Sequence, residues 1–436
     1  KGFSQSKMSG VYTIGKGSKM DYSTITGAVT DLIKNGVSSS VSFMIEDGTY
    51  KGEIYIDQKI KGSSPRNKIY FIGNNEDRSK VHLTNNANDV LKIFKSNYFH
   101  FSDLTIHNTN INEVRKVNAV LLRQSSGISF VNVHFKHDGL NEYASTINST
   151  IKLEYSDSNS FTNCSIENSD TFRNNYNVYY DKSNYNVISN CEITGAGYGV
   201  IIRNTLTDRK YGNTIENTRI TGFRQTGVSI YADRWIKFTN NIINSQKTTL
   251  SINPMEGYVE SGCQGSEIIS NEINVRGKGL IVDYPNNYYD STFIINNTVV
   301  ASYGIALMVK HYKNVNIYHN SFHSTTSIVA EIRDARADNK GFFVANNIFS
   351  TKYTYGIRLD FGGKDPGLWD YNNYYFPNST SNFAWVNTKT YARYSDFKNL
   401  TWGTDNSVNI DPEFDGSNLR TFARGLNNKG ISLIIK

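Results

Sequence analysis

The chain is poor in the features that settle many folds at a glance. Cysteine occurs three times, at Cys164, Cys191 and Cys263. An odd count without metal-ligand spacing excludes a disulfide framework. No apolar run reaches the roughly 18 residues that a membrane-spanning helix needs, so no membrane partner is expected. No block of five or six Lys or Arg occurs, which argues against a nucleic-acid partner. No charged start followed by an apolar stretch opens these 436 residues, so no signal peptide is expected within them. Hydrophobic residues are only 38%, yet 29 Tyr and 23 Phe are present. Disordered chains lack aromatics, so disorder is excluded as well.

What is there is a mild positive excess and a repeat. The formal net charge of +7 is scattered along the chain. Such an excess attracts a polyanion, and an acidic polysaccharide fits better than the alternatives just set aside. Length alone would suggest about three domains, but repeat architectures override that prior.

The repeat runs over about 22 to 31 residues. Asn163-Cys164, Asn190-Cys191, Asn240-Asn241, Asn296-Asn297 and Asn346-Asn347 recur in one setting, each followed closely by Ile, Val or Phe. Asn217, Asn271 and Asn320 occupy similar places. Between these marks lie short β-type runs with polar ends. They are 120–123, 151–154, 178–181, 200–203, 228–231, 250–253, 280–283, 305–310, 328–333 and 357–360. Apolar and polar side chains alternate within them, which predicts strands with one buried face. Val200 and Ile202, Val228 and Ile230, and Ile305 and Leu307 are expected to point inward.

Strands, turns and an Asn corner at this period predict an all-β fold, a right-handed parallel β-helix. One coil cannot bury its own core, so coils stack, and the crossover rule sets the hand. Asn241, Asn271, Asn297, Asn320 and Asn347 should form one buried column that satisfies turn backbone. Cys164 and Cys191 should be buried thiols in that stack, with a disulfide between them as the lesser alternative. A leucine-rich repeat lacks its Leu spacing here; an unrelated β-sandwich is the plain alternative. Residues 1–40 form an N-terminal cap, in which Ile25, Ala28, Val29, Leu32 and Ile33 share one helical face and Gly36 ends it. Residues 41–378 form the β-helix. Residues 379–436, with Trp385, Tyr391, Tyr394, Trp402 and Asp411-Pro412, read as an irregular C-terminal cap.

Two stretches resemble known families. GVYTIGKGSKMDYSTITGAV followed by VSFMIEDGTYKGEIYI resembles the opening of pectin methylesterases and related carbohydrate-active β-helix proteins. The esterase aspartate motifs are absent, and Asp360-Phe361-Gly362-Gly363 does not match them, so the resemblance implies architecture rather than esterase activity. VKHYKNVNIYHNSFHSTTSIVAEIRD, residues 309–334, resembles the catalytic coils of the chondroitinase B and alginate lyase family. There a Lys ends one strand and an Arg ends the next, which Lys310 and Arg333 match. The acidic calcium ligands of that family have no counterpart where Tyr303 and Ile305 stand. No cofactor is required by this reading, and calcium is the one metal it leaves open.

Stacked coils lie about 4.8 Å apart, so outward residues form a ladder: Arg123, Glu154, Asp181, Arg203, Tyr231, Asn253, Asp283, Met308 and Lys310, Glu331 and Arg333, Arg358 and Asp360. Charged and aromatic side chains on a long sheet suit an extended acidic glycan. The ordinary alternative is a solvated face laced with salt bridges. Eliminative cleavage of a uronan needs a cation on the substrate carboxylate, a base for the C5 proton and an acid for the leaving oxygen. Lys310 would be the base if nearby cations lowered its pKa. Arg333 would neutralise the carboxylate, and His311 or a Tyr would give the proton. Arg203, Tyr231, Arg358, Asp283, Glu331 and Asp181 would bind substrate.

Hydrolysis is the competing chemistry. Two carboxyl groups about 5 Å apart retain configuration, and about 6.5–9.5 Å apart invert it. Glu154 with Asp181 suits the first spacing, Asp283 with Glu331 the second. The Asp-rich motifs of polygalacturonase-like and carrageenase-like enzymes are absent. A non-catalytic adhesin would keep the groove without a base; fold alone does not choose. The segments Pro254–Gly265 and Tyr284–Asp290 read as loops walling the groove. A secreted or periplasmic monomer acting on an acidic polysaccharide is the expectation that results.

Overall fold

A computed structural model describes residues 6–111, 117–139, 148–169, 175–205, 212–245, 256–263, 265–283, 290–311, 314–333, 342–362, 366–380, 382–400 and 406–414. Short β-strands dominate, with helices at Ile25–Asn35 and Tyr394–Lys398. Among the described residues no helix is long and apolar enough to cross a membrane. Two compact units comprise residues 1–204 and 205–436. Each is a stack of coils that visit three parallel sheets in turn.

In the first unit one coil runs through Asn118–Arg123, Ser129–Val131 and His134–His137. The next lies directly on it, with Val120 opposite Ile151, Phe130 opposite Phe161 and Phe135 opposite Ile166. In the second unit Leu307–Lys310, Val315–Tyr318 and Ser321–Ser324 are followed by Ala330–Arg333, Phe343–Ala345 and Ile348–Thr351 in the same register. This is the parallel β-helix that the repeat predicts. The expected strand ends at Arg123, Glu154, Asp181, Arg203, Tyr231, Asp283, Lys310, Arg333 and Asp360 are all strand ends.

Because register shifts by a whole coil each time, like side chains stack on like. In the first unit Phe43, Phe71, Phe101, Phe130 and Phe161 form an inward column with ring centroids 4.8, 5.3, 5.2 and 5.0 Å apart. Each inner ring buries its faces between two others, an offset stack that favours one register over a slip. Cys164 and Cys191 are free, buried and stacked, the Cys164 amide donating to Cys191 Sγ at 3.4 Å.

The second unit holds the expected asparagine column. The Asn241 amide donates to Asn271 Oδ1, that of Asn271 to Asn297, that of Asn297 to Asn320 and that of Asn320 to Asn347, at 2.8–3.0 Å. Asn372 extends it, accepting from Asn347 at 3.0 Å. The residue before each member sits in the left-handed region: Asn240, Ser270, Asn296, His319, Asn346 and Tyr371 all have φ of 55–58°. Each Asn pair is thus two jobs side by side. The first tolerates the left-handed turn, and the second pairs the coils. Asn217 belongs to the first kind, with φ 49°, and Thr218 takes the column position beside it.

Helix Ile25–Asn35 buries Ile25, Ala28, Val29 and Leu32, while Ile33 is only half-buried. Thr24 caps it by accepting from the Gly27 amide, and Gly36 ends it at φ 66°. The end of the chain is more regular than expected. Asn382–Val386 pairs with Tyr355–Asp360 as one more parallel strand, and Lys389–Tyr391 then folds back antiparallel. Trp402 lies outside the described residues.

Two expectations need correction. Ile305 does not point inward; it is half-buried ahead of the strand Leu307–Lys310. The segment 254–265 is not a groove wall, because Glu256–Ser261 is the strand of its coil. Tyr258 and Glu260 face the core at 0% and 1% exposure. The strand expected at 250–253, Asn253 included, lies outside the described residues.

A buried polar cluster follows from that strand. Tyr258 donates to Glu260 Oε2 at 2.8 Å, and Asn213 donates to the buried Asp233 at 2.9 Å. Burial pushes the Glu260 carboxyl up to about 7, with the Tyr258 hydroxyl opposing and Asp233 adding to the rise.

Two outcomes follow. Asn297→Leu should strand the Asn271 amide and its carboxamide, and lower stability in urea unfolding by about 1–3 kcal/mol per stranded partner. Glu260 has a folded pKa raised above its ordinary carboxylate value, so its contribution is complete at pH below about 4.5 and is lost as pH rises through about 7. Wild type should therefore lose up to about 3 kcal/mol relative to Glu260→Gln between pH 4.5 and 8. Parallel melting curves for the two proteins across that range would exclude this.

Candidate functional site

The site residues of the second unit stand on the outward face of its first sheet. Six successive strands of that sheet end with an outward side chain, and the ladder register sets these in one column: Tyr231, Ser261, Asp283, Lys310, Arg333, Asp360. Two residues earlier on each strand runs a parallel column: Met308, Glu331, Arg358, Trp385. Lys310 and Arg333 therefore end adjacent strands, as expected.

The carboxylates are not free in this arrangement. Glu331, only 6% exposed, lies 3.4 Å from Arg333 Nε and 3.5 Å from Arg358 Nη1. It holds two guanidinium groups rather than facing a ligand. Asp283 Oδ1 lies 2.9 Å from His311 Nδ1, which leaves His311 Nε2 as the nitrogen directed elsewhere. The Asp283 and Glu331 pair proposed for inverting hydrolysis is thus engaged on both sides. Arg358 also lies over the Trp385 ring, 4.1 Å from its centroid.

Lys310 differs from its neighbours. Among the described residues its amine makes no hydrogen bond and no ion pair. Its charge is felt by Glu256, whose carboxyl burial pushes up while Lys278 and Lys310 oppose the rise. Lys278 Nζ stands 3.9 Å from Glu256. Tyr231, 46% exposed, shares the Lys310 column three coils away, roughly 14 Å at the coil spacing.

Arg203 and Asp181 belong to the first unit, where Arg123, Glu154, Asp181 and Arg203 form their own column. Lys152 Nζ and Arg123 Nε both pair with Glu154. Burial works against ionisation of Glu154, but these two cations outweigh it and hold the carboxyl below its usual range. Burial raises Asp181, and the neighbouring Glu154 charge adds to the rise. Arg203 lies over the Tyr179 ring at 5.9 Å. Residues 284–289 of the other expected groove loop lie outside the described residues.

Sequence reasoning missed the aromatic end of the second-unit sheet. Tyr353, Tyr355 and Trp385 are 39%, 46% and 39% exposed around a cavity of about 310 Å³. Trp385 reads in the sequence as part of an irregular cap, whereas it lies on the strand Asn382–Val386 opposite Arg358.

Calcium finds no ligand set in the described part of the site. Among the described residues no three His, Cys, Asp or Glu side chains converge as ligands. Asp283, the carboxylate beside Lys310, is turned to His311. No step is routed through a metal.

The chain matches the family described as right handed beta helix region, over residues 67–273 and 178–364. It belongs to that family. As a right-handed β-helix protein it is similar to several solved structures. An alginate lyase of family PL6 is 14% identical, with a TM-score of 0.57, covering 98% of this chain and 57% of that one. A rhamnogalacturonan lyase is 12% identical, with a TM-score of 0.46, covering 78% of this chain and 87% of that one. A pectin methylesterase in complex with a hexasaccharide is 14% identical, with a TM-score of 0.33, covering 60% and 80%. At these identities the likeness is one of fold. No curated protein sequence matches.

The clamp on Glu331 is testable without a substrate. A double-mutant cycle between Glu331→Ala and Arg358→Ala should show a coupling of about 0.5–3 kcal/mol in urea unfolding. Additive effects would mean that the carboxylate and guanidinium act independently.

Proposed function

We propose that this β-helix protein is carbohydrate-active, a polysaccharide lyase that cleaves an acidic polysaccharide by β-elimination. One observation carries the reading. An amine without a partner among the described residues, Lys310, stands in register between Asp283, which holds His311, and Arg333, which Glu331 holds.

Each group then has a task. Arg333 pairs with the carboxylate of the reacting uronate and stabilises charge that builds there as the C5–H bond breaks, while Arg358 binds a neighbouring sugar. Lys310, in its neutral form, takes that proton. The C–H electron pair becomes the C4–C5 double bond, and the C4–O bond breaks toward the leaving oxygen. His311, steadied by Asp283, protonates that oxygen. Asp283 and Glu331 serve as positioning residues rather than sugar ligands. Tyr231 would meet a more distant sugar of the same chain. A polymer of this kind is met outside the cytoplasm, so we place the protein as secreted or periplasmic.

The competing reading is glycoside hydrolysis in the first unit. Glu154 and Asp181 are direct ladder partners whose carboxyl groups are pushed in opposite directions. That split is what a nucleophile and a general acid require. Arg203 would bind substrate there. A non-catalytic adhesin remains the third class.

The deciding experiment is a panel of uronic and sulfated polysaccharides, followed by ultraviolet absorbance for an unsaturated product and by a reducing-end assay. Elimination gives both signals. Reducing ends without absorbance would move the chemistry to Glu154 and Asp181; binding without cleavage across the panel would favour the adhesin. Lys310→Ala should remove most turnover, by two orders of magnitude or more on the usual scale of general-base catalysis, about 10²–10⁴, with binding nearly intact. Arg333→Ala should weaken both binding and turnover, since it touches the carboxylate in ground and transition states alike. Full activity in Lys310→Ala would refute the assignment.

A further inference from the structure

We propose that the cavity between the strands Tyr355–Asp360 and Asn382–Val386 is a subsite for a single uronate ring. Its face would lie on Trp385 and Tyr355, with its carboxylate on Arg358. The inference rests on the acidic-polysaccharide reading above and adds to it the place where a neighbouring sugar is held.

The cavity measures about 310 Å³ and is lined by Ile305, Tyr353, Tyr355, Arg358, Trp385 and Thr390 among others. That volume is at the small end of the roughly 300–1,000 Å³ typical of ligand sites, so it suits one ring rather than a stretch of polymer. Most of the lining is aromatic or aliphatic, and the one formal charge among the lining residues is Arg358. Aromatic faces are electron-rich, and the C–H faces of a pyranose carry slight positive charge, so the two stack. Three large aromatic side chains left open to solvent around one hollow are costly unless something covers them. The Tyr353 and Tyr355 rings already lean together, 5.8 Å apart at 33°.

The cation is held in place before any ligand arrives. Glu331 grips Arg358 from one side at 3.5 Å, and the Trp385 ring lies 4.1 Å away on the other. A guanidinium fixed in this way loses little freedom on binding, and its planar fork matches a carboxylate. The aromatic ring and the cation thus come as one unit, which a neutral sugar would use only in part. Position agrees with this. Arg358 is the ladder partner of Glu331, which also holds Arg333. The hollow therefore sits about one coil, roughly 4.8 Å, further along the stack than the group proposed to neutralise the reacting sugar, and two residues back along the strand from it. Thr390 comes from the antiparallel strand that closes the sheet, so the sheet's end supplies the far wall.

The test uses the full chain, with saturated oligomers of galacturonate, mannuronate and guluronate, and neutral cello-oligomers as control. Binding is read by calorimetry and by tryptophan fluorescence; cleavage is scored separately by ultraviolet absorbance. At least one acidic oligomer should bind and change the fluorescence saturably, and the neutral oligomers should bind at least tenfold more weakly. Trp385→Phe should abolish the fluorescence change yet keep affinity within about threefold. Trp385→Ala and, independently, Tyr355→Ala should each weaken binding at least tenfold while melting like wild type. Unchanged affinity in both alanine variants, or no binding of any acidic oligomer by the wild type, would overturn the subsite. Unsaturated product with unchanged affinity in both variants would overturn the subsite alone and leave the lyase reading standing. Tenfold losses without any product would keep the subsite and overturn the lyase reading.

Discussion

Every coil must hydrogen-bond to the coil above and the coil below, and this demand for vertical self-complementarity shapes everything else. A buried polar group in such a stack must find its partner within its own coil or on the coil directly above or below. Asn meets the demand completely. Asn271 Oδ1 takes the backbone amide and the carboxamide of Asn241, while its own carboxamide reaches the Phe238 carbonyl. Donors and acceptors balance along the column, so no buried group is orphaned. The first unit uses Asn too, the Asn159 amide and carboxamide donating to Asn186 Oδ1, and adds smaller side chains beside it. There the Ser125 amide donates to Ser156 Oγ and the Ser156 amide to Ser183 Oγ.

The same register that satisfies the interior also fixes the exterior. Outward side chains on successive coils are held about 4.8 Å apart, too close for a run of like charges in low dielectric. Along the second-unit column Asp283 and Asp360 bracket Lys310 and Arg333, and Glu331 separates Arg333 from Arg358. The interleaved carboxylates make a dense cluster of cations stable enough to exist. They also aim it, since a guanidinium gripped on one side presents its remaining N–H groups on the other.

Much of this was legible in the residues, for a physical reason. Strands such as Val228–Ile230 and Ile357–Leu359 alternate apolar-in and polar-out, so period and direction can be read together. The placing of Lys310 and Arg333 on adjacent strand ends followed from that period, and their selection as a pair from the lyase-family resemblance. Glu256–Ser261 was misread because its inward residues are Tyr258 and Glu260, which invert the binary pattern. A strand whose core face is polar looks like a loop. The engagement of Glu331 and Asp283 was hidden for another reason: spacing gives a residue's position in the ladder but not the partner its side chain chooses. The Tyr355 and Trp385 hollow was obscured because the rhythm breaks where the antiparallel strand begins.

One conformational feature looks like a mark of catalysis and is not. His311 has φ 49°, a left-handed backbone that costs a residue with a side chain about 1–3 kcal/mol and often marks active sites. Yet Lys95, Gln124, Tyr155, Lys182 and Ala232, which follow equivalent strand ends, have φ of 49–55°. In each the amide donates to the last strand carbonyl of the next coil, as His311 does to Arg333 at 3.2 Å. The strain is therefore architectural, offset in each of these coils by the same vertical hydrogen bond. What the turn does for His311 is geometric. It carries the residue off the strand axis, so its ring meets Asp283 of the preceding coil at 2.9 Å. Because the turn accepts Lys, Gln, Tyr, Ala or His alike, its side chain is released from the fold. A coil can therefore place a functional group there without disturbing the stack.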